Sequence, residues 1–76
     1  MYEYYEHLAQ AIIVQAVNDY RDALAAFYLH PREMYRLRVQ ELEEFFYSDF
    51  YSVLTKVDAD YILKRVRAEV HKGVNR

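Results

Sequence analysis

The sequence predicts a small all-α protein: one domain over residues 1–76 in which one long helix and three shorter ones form a bundle. Three observations carry that expectation. Strong helix formers dominate and there is a single Gly and a single Pro. Apolar residues recur every three or four positions over long stretches. No segment alternates for long in the way a strand requires, and no Asn-Gly or Asp-Gly turn joins two such segments.

The first helix is expected over residues 3–29, with Ala9, Ile13, Ala16, Val17, Tyr20, Leu24 and Phe27 on one face. Pro31 ends it, because it lacks an N–H and disfavours helix at His30. It also suits the first position of the next helix. That second helix is expected over residues 32–46, with Tyr35, Val39, Leu42 and Phe46 inward. A short third helix is expected over residues 47–54, with Ser48 or Asp49 as N-cap and Phe50, Val53 and Leu54 facing the core. After a turn at residues 55–57, Asp58 caps the last helix, and Asp60 in its first turn opposes the positive end of the helix dipole. Ala59, Ile62, Val66 and Val70 form its buried face, and Gly73 is placed at the left-handed C′ position. The last helices have the proportions of a loose helix-turn-helix.

Composition excludes several functions. With no Cys there is no disulfide framework, thiol nucleophile or Cys-based zinc site. One Gly cannot build a glycine-rich phosphate loop. His7, His30 and His71 stand in no metalloprotease-like spacing, and Glu3 with His7 on one helix face is too little for a metal site. No cofactor, metal or enzymatic activity is expected. The longest apolar run, Ala23–Leu29, is far short of the roughly 20 residues of a membrane span. Acidic and aromatic residues fill the first positions where a secretory signal would be basic and then apolar. The expected location is therefore a cytoplasm.

Charge is divided along the chain. Residues 1–55 carry four basic and nine acidic side chains, and residues 56–76 carry six basic and three acidic. Such asymmetry can orient a protein on a charged partner. Two charged surfaces follow. Glu41, Glu43, Glu44 and Asp49 form an acidic group beside Tyr47 and Tyr51, a candidate surface for a protein partner. Lys64, Arg65, Arg67, His71 and Lys72, with Arg76 beyond them, form a candidate nucleic-acid face on the last helix. Asp58, Asp60 and Glu69 dilute that face, and Asp60 would meet phosphates at the end of the helix that a groove-binding helix presents first.

The nine Tyr residues are more than a small core can bury, because each buried hydroxyl needs a partner. Tyr2, Tyr4 and Tyr5 crowd one end of the chain, and Tyr28, Tyr35, Tyr47, Tyr51 and Tyr61 lie near helix junctions. Exposed Tyr is enriched in protein interfaces. Ala11, Ile12, Ile13 and Val14 cover more than one side of the first helix, so Ile12 or Val14 points away from the main stripe. Either the other helices wrap this segment or it pairs with a second copy in a homodimer.

Two stretches carry a resemblance. Residues 11–24 read AIIVQAVNDYRDAL, and residues 45–70 read FFYSDFYSVLTKVDADYILKRVRAEV. The marks are Ile12, Gln15-Ala16, Asp19-Tyr20 and Ala23-Leu24 in the first. In the second they are Phe45-Phe46, Ser48, Phe50, Leu54-Thr55, Asp58 and Tyr61. In these the chain resembles a group of short uncharacterised proteins encoded by prophages and integrative conjugative elements of Gram-positive bacteria. Its middle segment, HPREMYRLRVQELEE, departs from the Lys-rich stretch of that group. The resemblance implies a mobile-element accessory protein in a bacterial cytoplasm and assigns no functional residue. The leading expectation is a non-enzymatic factor that binds a host protein or ribonucleoprotein complex, as an inhibitor of a defence nuclease of the anti-CRISPR kind. The second is a small helix-turn-helix-like DNA-binding accessory protein.

Overall fold

A computed structural model describes the backbone of residues 2–74 and the side chains of residues 5–73. The four expected helices are present: α1 (Tyr2–Leu29), α2 (Glu33–Phe46), α3 (Asp49–Leu54) and α4 (Ala59–Val74). Among the described residues there is no strand.

Each boundary has a local cause. The His30 N–H still reaches the Ala26 carbonyl at 2.8 Å, and Pro31 then stops α1. The Arg32 N–H donates to the His30 carbonyl at 2.7 Å, which closes a tight reversal. Arg32 is extended (φ −101°, ψ 151°) and is the N-cap of α2. Pro31 thus precedes the N-cap and is not the first residue of α2, because the first carbonyl of the α2 ladder belongs to Arg32, which accepts from the Arg36 N–H at 3.1 Å. No side chain caps this end; the Glu33–Arg36 ion pair sits in its first turn instead.

Ser48 separates α2 from α3. It is extended, and its Oγ accepts the Tyr51 N–H at 3.2 Å while its hydroxyl donates back to the Phe45 carbonyl at 2.6 Å. That double use makes Ser48 the cap and delays α3 to Asp49, two residues later than expected. Asp58 caps α4 as expected, its Oδ1 accepting the Asp60 N–H at 3.1 Å. Gly73 differs from expectation: it lies inside α4 without positive φ, because the helix ladder continues through it to Val74.

The core is one cluster. Ala16, Tyr20, Ala23 and Leu24 come from α1, Leu42 and Phe46 from α2, Tyr51 from α3, and Leu63, Val66 and Val70 from α4. Edge-to-face rings order its centre, with Tyr20 and Phe46 at 5.9 Å and Phe45 and Phe46 at 5.4 Å. Two assignments change. Leu63 is fully buried and is the centre of the α4 face, whereas Ile62 is only half-buried at its edge. On α3 the buried residue is Tyr51, with 4% of its surface exposed. Phe50 and Val53 face outward, 55% and 81% exposed. Tyr51 wins the inward position because its ring meets Phe46 at 5.5 Å and its hydroxyl finds the Val57 carbonyl at 2.8 Å.

The arrangement is a spine with two flanks. Both α2 and α4 lie against α1, and α3 touches α1 and α2. α2 returns antiparallel to α1 from the Pro31 reversal. α4 runs with α1, since the His71 ring near its end meets Tyr28 near the end of α1 at 6.3 Å. The molecule measures 43 × 24 × 18 Å.

Candidate interaction surfaces

One polar cluster joins three helices in a three-way tie. The Tyr20 hydroxyl donates to Glu43 Oε2 at 2.6 Å. Arg67 spans both groups, its Nε donating to the Tyr20 oxygen at 2.9 Å and its guanidinium reaching Glu43 Oε2 at 2.8 Å. α1, α2 and α4 each supply one member. Burial first, then the hydrogen bond to Glu43, pushes the Tyr20 hydroxyl well above its ordinary pKa. The hydrogen bond to Glu43 holds Arg67 more firmly protonated than usual. This geometry fastens the flanks to each other over the spine. It also withdraws one residue from each candidate surface: Glu43 leaves the acidic group and Arg67 leaves the basic face, their side chains 31% and 41% exposed.

The rest of the acidic group divides. Glu41 pairs with Arg38 at 3.3 Å, as i, i+3 spacing favours. Glu44 accepts only an amide hydrogen bond, from Gln40 at 3.3 Å. Among the described residues neither Glu44 nor Asp49 joins an ion pair, and both are exposed. Tyr47 is exposed and donates to Asp60, which raises its hydroxyl pKa. Tyr51 is removed from the partner surface altogether by its burial.

What takes its place is apolar. Phe50, Val53 and Val57 follow one another at three- and four-residue steps on the outer side of α3 and the turn beyond it, and all are exposed. Phe50 is steadied by Phe45 at a ring distance of 6.2 Å. Of these three only Val57 also lines the open depression of about 410 Å³ between the end of α2, α3 and the start of α4, whose walls include Tyr47, Asp49, Ser52 and Lys56. Asp49 and Glu44 flank this corner with negative charge. The sequence points to the aromatic richness of this stretch but assigns its faces in reverse, since six residues make fewer than two turns and offer no periodicity to fix the inward side.

On α4, Lys64, Arg65, His71 and Lys72 remain exposed. They fall in two rows with seven-residue repeats, Lys64 with His71 and Arg65 with Lys72. Arg65 donates to the Tyr61 hydroxyl at 3.4 Å, and the intervening Glu69 pairs with Arg21 at 3.1 Å. Arg76, and the side chains of Tyr2, Glu3 and Tyr4, lie outside the described residues. Among the described residues no three His, Asp or Glu side chains are grouped to hold a metal ion, and no helix is long and apolar enough to cross a membrane.

No family model, curated protein or solved structure matches this chain.

Proposed function

We propose that this chain is a non-enzymatic protein-interaction factor whose partner docks on the corner formed by α3 and the end of α2. One observation carries the reading. A six-residue helix turns Phe50 and Val53 to solvent while a neighbouring Tyr takes the core position. Contiguous exposed apolar side chains rimmed by polar groups are characteristic of binding surfaces, and aromatic anchors dominate their energetics. The carboxylates of Glu44 and Asp49 at the rim favour a partner that is basic around an apolar recess. Grooves that grip single-stranded nucleic acid are basic and carry aromatic side chains, so inhibition of a host defence nuclease, of the anti-CRISPR kind, is the specific form proposed.

Affinity purification of the tagged chain from a bacterial host tests this, with wild type, Val53→Asp and a Glu44→Lys/Asp49→Lys pair compared. A host protein retained by wild type and lost from both variants is expected. Equal retention by all three would refute the docking corner. Duplex DNA is the control ligand. Retention of DNA that falls steeply with salt and disappears on Lys64→Glu/Arg65→Glu would instead favour the α4 face.

A further inference from the structure

We infer that the N-terminal half of α1 is the seam of a homodimer, with a second copy of the chain lying antiparallel along it. Lengths are the first argument. α1 has 28 residues against 14 in α2 and 16 in α4. At about 1.5 Å per residue the flanks cover little more than half of a spine of roughly 42 Å. The buried residues of α1 accordingly begin at Ala16. The core-facing stripe does not stop there. Ile13 still packs against the core, and beside it Ile12, Ala9, Leu8 and Tyr5 carry an apolar row on from Ala16 at helical spacing. Leu8 is 45% exposed, and Ile12 and Ala9 are only partly covered.

Surface area is the second argument. A folded monomer of 9.2 kDa exposes about 4,900 Å² by the usual mass scaling. This chain exposes 5927 Å², about 1,000 Å² more than that scaling gives. A stable interface buries about 800 Å² on each partner, so covering the overhang brings the chain to the exposure of an ordinary folded subunit. Its radius of gyration of 13.4 Å likewise exceeds the roughly 11.4 Å expected for 76 residues.

Charge sets the direction. In a parallel pair Glu6 lies level with Glu6 of the second copy, which is repulsive. In an antiparallel pair centred between Leu8 and Ala9, Glu6 lies level with Ala11 of the second copy and His7 with Gln10. Ile12 then meets Tyr5 of the second copy, Leu8 meets Ala9, and no carboxylate faces another. The small Ala9 lets the helices approach within the 8–10 Å of ordinary helix packing. The two bundles stand at opposite ends of the seam, so each dimer presents two α3 corners well apart.

Light scattering after size exclusion, over a dilution series, should give twice the 9.2 kDa of the chain. Leu8→Lys/Ile12→Lys should halve that mass while far-ultraviolet circular dichroism keeps its helical signal. Cysteine trapping gives an independent reading, since the chain has no Cys of its own. Oxidation should cross-link Leu8→Cys with itself, and Tyr5→Cys with Ile12→Cys when the two are mixed, but not Tyr5→Cys with itself. A monomer at all concentrations, a dimer unmoved by the two lysines, or self-linking of Tyr5→Cys would overturn the proposal.

Discussion

Tyr20 and Glu43 meet at 2.6 Å, hydroxyl to carboxylate, although 23 positions separate them in the chain. Arg67 closes the same contact from α4. Removing the hydroxyl alone leaves a paired Glu43 and Arg67, so Tyr20→Phe should cost about 1 kcal/mol, the net worth of a typical hydrogen bond. Arg67→Ala should cost more than Tyr20→Phe, since it strips the shared carboxylate of its cation, but partial exposure keeps this below the values of a buried pair. Urea denaturation of both single variants and the double variant checks this. The two changes should not add, with a coupling of about 0.5 kcal/mol or more.

Alkaline stability should depend on the same hydroxyl. The folded protein holds the Tyr20 proton more tightly than the unfolded chain, whose value is the ordinary 10.0. Its contribution is therefore complete below about pH 10 and declines as pH rises above that, by at most about 1.4 kcal/mol per pH unit for one proton. Tyr51, raised by burial and then by the charge of Asp58, acts in the same direction. Melting temperature measured from pH 8 upward, in steps, should fall less steeply for Tyr20→Phe than for wild type. Equal slopes would show that Tyr20 titrates alike in both states.

Core truncations should rank by burial rather than by residue type. Leu63→Ala removes a fully buried side chain and should cost about 2–5 kcal/mol. Phe46→Ala should cost about 3–5 kcal/mol. In a domain whose whole stability is of the order of 5 kcal/mol, either removes a large share of it, readable as a much lower urea midpoint followed by circular dichroism. Ile62→Ala, one position away from Leu63 but at the edge of the face, should leave a cooperative transition. Val53→Ala, on the open side of α3, should stay within about 0.5 kcal/mol of wild type.

Gly73→Ala should stabilise. Gly73 has helical backbone, and a Cβ added there meets nothing within 4 Å. The gain is at most about 1 kcal/mol, the helix-propensity difference between the two residues, lessened by closeness to the helix end. A fall in melting temperature on this substitution would mean that the left-handed conformation, not the helical one, is occupied in solution.

The long helices were legible because amphipathic repeats over 14 or more residues leave one consistent buried side. Pro31, Ser48 and Asp58 marked their ends by local chemistry. Legibility failed where two faces competed. Ile62 and Leu63 are adjacent, both apolar, and both compatible with Ala59, Val66 and Val70; only the position of α1 selects Leu63. On α3, Phe50 and Val53 look more apolar than Tyr51, yet the Val57 carbonyl satisfies the Tyr51 hydroxyl. That acceptor exists only once the following turn has formed. The pairing of Glu43 with Arg67 was illegible for a similar reason. Both residues sit in runs of like charge that read as solvated surface, and only the crossing of helices brings them to Tyr20.

Because both flanking helices rest on α1, the chain has no half that could persist alone. All four helices contribute to one buried cluster, so releasing either flank opens the core around Tyr20. Hydrogen exchange of amides throughout α1 beyond Ala16 should therefore follow one shared opening rather than a graded series, with α4 and α2 losing protection together.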